Sequence, residues 1–367
     1  MGFRCGIVGL PNVGKSTLFN ALTHAGAQAE NYPFCTIDPN VGIVEVPDLR
    51  LETIAQLVNP AKVIPTAIEF VDIAGLVAGA SKGEGLGNRF LAHIREVDAI
   101  IHVVRAFRDD DITHVSGQVD PLVDVATIET ELALADLETA ERAVDRTAKA
   151  AKTGDKKILR ELDYLRQAYD ALSQEQGLQE LLQDSDALAA LKPLCLLSAK
   201  PALYVANVSE QDLNGNDQVT QLIDHAHKRQ TQVVVVSAAI EQEISEIDAD
   251  ERAGFLEDLG LESSGLDRVI RAGYALLGLQ TFFTAGPKEV RAWTAPCGAT
   301  APQAAGEIHT DFERGFIRAE TIAYDDFVQY QGEQGAREAG RLRLEGKEYL
   351  LSDGDIMHFR FNVLGKV

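Results

Sequence analysis

Gly9-Leu10-Pro11-Asn12-Val13-Gly14-Lys15-Ser16-Thr17 places a lysine and two hydroxyl residues after a glycine-bounded loop. This GxxxxGK[ST] spacing, with an apolar run before it and a helix-forming run after it, suits phosphate binding. Glycines let backbone N–H groups turn inward around phosphate oxygens, and the N-terminus of the following helix adds partial positive charge. Asn12, Val13, Gly14, Lys15, Ser16 and Thr17 would then line a nucleotide. Lys15 would reach the β- and γ-phosphates and assist catalysis, and the Ser16 hydroxyl would bind Mg2+.

Three further stretches extend this chemistry. Asp72-Ile73-Ala74-Gly75 ends an apolar run with the DxxG pattern, so Asp72 would hold Mg2+ through a water and the Gly75 N–H would sense the γ-phosphate. Between the two elements lies Thr36, where a metal-binding switch threonine belongs. Downstream, Asn207-Val208-Ser209-Glu210 stands where guanine-specific proteins carry Asn-Lys-x-Asp. Asn207 can still bond a purine. Val208 replaces the lysine that packs along the base, and Glu210 replaces the aspartate that pairs with guanine. Adenine offers an acceptor at N1 that would repel a carboxylate, so Glu210 must point elsewhere if ATP binds. The tetrapeptide weakens the case for guanine without establishing adenine. Ser237 and Ala238, after another apolar run, fit the last base-contacting loop.

Buried strands alternating with helices must position these residues. Cys5 to Gly9, Thr66 to Asp72, Ala99 to Arg105, Ala202 to Ala206 and Val233 to Val236 read as strands covered on both faces, and Lys15 to Ala25 reads as a helix. This predicts an open α/β domain with its ligand at the carboxyl ends of the strands. Ile158, Leu162, Leu165, Tyr169 and Leu172 are spaced 4-3-4-3, and Leu134, Leu137, Val144 and Ala148 continue a similar seam upstream. With the turn Thr153-Gly154-Asp155 between them, residues 128–198 read as an inserted antiparallel helical arm. From residue 278 the pattern becomes that of a small α+β domain. Gln280 to Thr284 and Glu289 to Thr294 pair as strands, Ala301 to Phe312 forms a helix, and Phe316 to Ile322, Tyr349 to Leu351 and Ile356 to Phe361 form later strands.

Composition excludes several classes. No apolar run approaches the roughly 20 residues needed to span a bilayer. The first residues resemble neither a signal peptide nor, because they read as a buried strand, a lipid-modified terminus. Cys5, Cys35, Cys195 and Cys297 lie far apart without a CxxC pair, which argues against zinc and disulfides and fits a reducing cytosol. A net charge of −22 excludes coating nucleic acid through the overall field. The acidity is uneven, however. From Gly278 to Val367 there are 13 acidic and 10 basic residues, which leaves RNA contact open for the C-terminal part.

These motifs, with Asn31-Tyr32-Pro33-Phe34-Cys35-Thr36 and Gly83-Glu84-Gly85-Leu86-Gly87-Asn88, resemble the Obg-like ATPases of the YchF subfamily over essentially the whole chain. The resemblance implies an Obg-type P-loop nucleotide-binding domain over residues 1–277, with the coiled-coil arm at 128–198. It also implies a C-terminal β-grasp TGS domain over 278–366. It implies a cytoplasmic ATP-hydrolysing switch that binds the ribosome through its large subunit, and RNA with it. Neither a membrane nor an obligate partner subunit is implied, so a monomer is expected. A true GTPase with a degenerate fourth motif, or an adaptor with negligible hydrolysis, remains the alternative. Many GTPases place a glutamine directly after DxxG to orient water, where this chain has Leu76. His114 is the local candidate for that task, and the resemblance points to the same residue; otherwise it is an exposed histidine in an acidic turn. Asn12 occupies the position that potassium-activated relatives use to ligate K+, so K+ is a second expected cofactor.

Overall fold

The computed structural model describes residues 3–25, 40–73, 86–109, 119–174 and 176–362. Two compact units result, one of Phe3–Gly42 with Glu69–Val269, the other of Ile43–Ile68 with the chain from Ile270 onward. Thr36, Gly75, Leu76 and His114 lie outside the described residues.

The first unit is built on a six-stranded sheet. Its strands are β1 (Arg4–Val8), β2 (Val41–Glu45), β4 (Ala67–Asp72), β5 (Ala99–Arg105), β6 (Ala202–Asn207) and β7 (Val233–Val236), in the order β2-β4-β1-β5-β6-β7. β3 (Val63–Ile64) belongs to the other sheet. The pairs β1/β4, β1/β5, β5/β6 and β6/β7 are parallel. Every residue of β5 is buried, as expected of a central parallel strand covered by helices on both faces. Since β1 lies between β4 and β5, the chain leaves its carboxyl end at the point where successive connections run to opposite sides of the sheet. Ligands bind at such a point in open α/β sheets.

The helices of this unit are α1 (Lys15–Ala25), α3 (Leu86–Glu96), α4 (Pro121–Ala150), α5 (Lys156–Ser173), α6 (Ser185–Leu191), α7 (Asp217–Lys228), α8 (Ala238–Glu246), α9 (Ala249–Asp258) and α10 (Gly265–Leu276), which continues into the second unit; α2 (Leu49–Val58) lies in that second unit. The expected hairpin is present but begins earlier. Asp120 caps α4 by accepting from Leu122 N at 3.0 Å, with Pro121 at the first turn. The first turns of α4 bury Val125 in the same cluster as Val104 and Tyr204. The facing positions are Ala140, Ala143, Leu165, Ala168 and Leu172. The large residues of the expected seam, Leu162, Leu165 and Leu172, are buried on this line, with Leu137, Val144 and Tyr169 packed against it, and alanines between them let the two helix backbones approach. The far end of the insertion is tied back by Asp136. It is 1% exposed and accepts from Leu197 N (2.8 Å), Ser198 N (2.7 Å) and Ser198 Oγ (2.6 Å).

The second unit holds a mixed sheet in the order β11-β10-β12-β8-β9-β3, with β8 (Leu279–Ala285), β9 (Val290–Pro296), β10 (Phe316–Ile322), β11 (Arg343–Glu345) and β12 (Ile356–Phe361). One face packs on α11 (Ala301–Ile308) through Phe282, Ala304, Ala305, Met357 and Phe359. The other packs on α2 and on α13 (Tyr324–Gln329) and α14 (Glu333–Glu338) through Leu51, Ile54, Phe283, Phe327 and Ala336. The single helix expected over Ala301 to Phe312 breaks at His309, whose extended backbone starts α12 (Thr310–Arg314) and whose Nδ1 accepts from Asp311 N at 3.1 Å. Tyr349 to Leu351 forms no strand, only a bridge from Leu350 to Thr300.

Candidate nucleotide-binding site

The loop from Gly9 to Lys15 connects β1 to α1 and owes its path to three residues. A side chain at Gly9 would strike the Val103 carbonyl oxygen on β5, about as close as 2.7 Å. Asn12 and Gly14 have φ of 64° and 89°. Asparagine tolerates that left-handed region through its short polar side chain, and glycine adopts it freely. A Cβ on Gly14 would also collide with the Asn207 amide. Ser16 and Asn12 are exposed, Thr17 is half-buried, and Val13 is buried.

Lys15 is 8% exposed, and its Nζ forms an ion pair with the Asp72 carboxylate at the end of β4. The two charged groups expected to face a Mg2+-bound triphosphate therefore converge in space although 57 residues separate them. The oxygen donors here, a serine hydroxyl at the start of α1 and a carboxylate at a strand tip, suit a hard cation such as Mg2+.

Asn207 is the hub of the site. It is 4% exposed; its Nδ2 donates to Val13 O at 2.9 Å, and its Oδ1 accepts from Ala238 N at 2.9 Å. The amide thus joins the phosphate loop to the start of α8. It keeps a second N–H and a second lone pair for a base. Ser237, 1% exposed, and Ala238, 3% exposed, sit beside it. The structure thus brings Val13, Gly14, Asn207 and Ala238 together.

The remaining members of the fourth motif diverge. Val208 is 3% exposed and packs in a core cluster with Ala106, Val219 and Leu222. Its side chain therefore fills the core instead of covering a base. Glu210 is exposed and opens a 3-10 turn. That turn is held by Ser209 Oγ donating to Asp212 Oδ2 at 2.9 Å and by Asn216 Nδ2 donating to Ala106 O at 2.9 Å.

One buried residue escaped the sequence reading. Arg105, at the end of β5 opposite Asn207, is 1% exposed. Its Nε donates to Phe107 O and its Nη2 to Asp109 O, both at 3.2 Å, and the guanidinium lies 4.5 Å from the Phe107 ring centroid. A guanidinium is buried at such a place only where its donors are satisfied. Arg105 thereby ties Phe107 and Asp109 to the end of β5. A charged residue closing a strand that is apolar apart from His102 was the available signal. Elsewhere in this sheet His102 is 3% exposed, with Nε2 lacking a partner among the described residues, and burial pushes its pKa down to about 3. The buried Cys5 thiol is pushed up to about 12, which makes it a poor nucleophile.

A glycine-rich loop and lysine at the carboxyl edge of a parallel sheet, facing a strand-tip aspartate, define a P-loop protein of the GTPase type. Two family models match the chain: a 50S ribosome-binding GTPase over residues 4–163, and YchF-GTPase_C, described as a protein of unknown function, over residues 279–362. Proteins named ribosome-binding ATPase YchF match along their whole length. The Pasteurella multocida protein is 61% identical over 363 residues, covering 99% of this chain and 100% of that one. The Bacillus subtilis protein is 58% identical over 366 residues with the same coverage. The solved structure of the Schizosaccharomyces pombe YchF GTPase is 38% identical, covers 98% of each chain and has a TM-score of 0.89. The chain belongs to the YchF family.

Proposed function

We propose that this protein is an ATP-hydrolysing switch that binds the ribosome in a nucleotide-dependent way. The observation that carries the reading is the convergence of Lys15 and Asp72 under a loop held by Asn207, in a chain 61% identical to a ribosome-binding ATPase. In this reading, backbone N–H groups from Asn12 to Thr17 cradle the phosphates and Lys15 neutralises them. Ser16 and Asp72 would hold Mg2+, with Thr36 as the further expected ligand; the ion's contribution is to neutralise charge on the β- and γ-oxygens. Asn12 would add K+ to the phosphate site.

Purine choice is the finer question, because the relatives are named ATPases in bacteria and a GTPase in fission yeast. The chain's own residues favour ATP. No lysine covers the base, since Val208 is in the core, and Glu210 extends into solvent. Asn207 contacts either purine and Glu210 leaves guanine unrewarded. Hydrolysis is slow, because Leu76 cannot orient water; His114 is the proposed base, and Gly75 the γ-phosphate sensor.

The α4–α5 hairpin is a projecting arm, and the second unit is a TGS-type β-grasp domain that shares ribosome contact, large-subunit contact included. We place the protein in the cytoplasm as a monomer. No helix among the described residues is long and apolar enough to cross a membrane. Co-sedimentation with ribosomes tests the reading: retention should differ between the ATP-analogue and ADP states and should vanish in Lys15→Ala. Equal retention of both states and of the variant would refute the switch.

A further inference from the structure

In a chain of net charge −22, the edge of the second unit's sheet carries three cations that form no ion pair with a described carboxylate: Lys62, Lys288 and Arg291. The fold brings them to one place from two distant segments. The β8–β9 hairpin closes with Gly286 N donating to Glu289 O at 3.0 Å, which puts Lys288 at its exposed tip. The segment entering β3 lies alongside, with Ala61 N donating to Pro287 O (3.1 Å) and Val290 N donating to Lys62 O (3.0 Å). β3 continues in parallel register, with Ile64 opposite Arg291.

Arg291 is not a loose surface arginine. Its guanidinium carbon sits 3.9 Å from the centroid of the Trp293 ring. That ring is fixed by Nε1–H donating to Thr284 Oγ at 2.9 Å and by a stacked Phe282 with an interplanar angle of 15°. A guanidinium laid on an indole is a flat cationic platform, and its other face matches a nucleobase. Flanking lysines on a strand edge match phosphates.

Resting on the ribosome-binding reading above, we infer that this edge is an RNA-binding surface. It takes an unpaired base on the Arg291–Trp293 stack and backbone phosphates on Lys62 and Lys288. Charge complementarity favours a polyanion, and the planar stack favours RNA over an acidic protein segment.

Trp293 is the chain's single tryptophan, so fluorescence of the full-length protein excited at the long-wavelength edge, where the tyrosines do not absorb, reads this site alone. Short oligoadenylate should change Trp293 emission saturably, and polyglutamate should not. Arg291→Lys keeps the charge and loses the plane, and should weaken oligoadenylate binding about tenfold. Lys62→Gln with Lys288→Gln, both exposed, should make the salt dependence shallower by about 1.4 in log–log slope. Ribosome retention of the triple variant should fall while its ATP affinity stays that of wild type. An unchanged emission, an equal response to polyglutamate, or a triple variant retained by ribosomes like the parent would overturn this surface. If wild-type protein fails to bind ribosomes yet shows the Arg291-dependent fluorescence response, the ribosome reading fails and this surface stands.

Discussion

Replacing Asn207 with alanine isolates the residue on which the site's geometry depends. The substitution removes two bonds of 2.9 Å and leaves Val13 O and Ala238 N, both in buried surroundings, without their partner. A buried polar group left unpaired costs about 1–3 kcal/mol, so with two such groups global stability should fall by about 2–6 kcal/mol. Nucleotide affinity should fall separately. A phosphate loop no longer anchored at Val13 must be ordered when the triphosphate arrives, and fixing one or two residues costs about 1–2 kcal/mol each. That corresponds to a Kd weaker by about 5- to 1,000-fold. Asn207→Asp is the informative comparison. It keeps an acceptor for Ala238 N but turns an oxygen toward Val13 O, so it should be at least as damaging as alanine. Urea unfolding and Mg2+-ATP titration of the three proteins measure both effects. An Asn207→Ala protein within 0.5 kcal/mol and twofold of the parent, taking those margins as roughly the scatter of inert substitutions, would refute the reasoning.

Other consequences follow from the same contacts. Asp136→Ala removes three hydrogen bonds to a buried carboxylate and should destabilise the first unit by about 2–4 kcal/mol; hydrogen exchange at the Leu197 and Ser198 amides should rise with it. His102 has a folded pKa of about 3 against an ordinary 6.5. Between those values the unfolded chain binds the extra proton, so this contribution is complete above pH 6.5 and declines as pH falls, by about 1.4 kcal/mol per pH unit. Unfolding of His102→Leu should show a correspondingly flatter acid limb, and an identical limb would contradict the assignment. Hydrolysis should be faster in K+ than in Na+ if Asn12 ligates the ion, and equal rates in the two salts would remove K+ from the mechanism.

What could be read from the sequence was what periodicity and spacing encode. The ranges of α1, β5, β7 and β10 follow directly from their residues, as does the position of Lys15 at the start of α1. Short or mixed elements were not legible. β3 has two residues and exists only because β9 offers it an edge. α2 and β3 lie early in the chain yet gather with the C-terminal sheet, a long-range pairing with no local signature. In the site, residue types announced the phosphate loop and its strand-tip aspartate. The amide bridge of Asn207 depends on three segments meeting, and Val208 showed its core role only when its neighbours were in place. Arg105 announced itself only as a charge closing a strand; its burial depends on the Phe107 and Asp109 carbonyls that the folded turn brings to its guanidinium.

The most direct test is equilibrium binding of ATP and GTP to one preparation, with and without Mg2+, beside Lys15→Ala. The account predicts Mg2+-dependent binding of ATP tighter than that of GTP and loss of both in the variant. Preference for GTP would contradict the adenine assignment, and Mg2+-independent binding that survives Lys15→Ala would contradict the site itself.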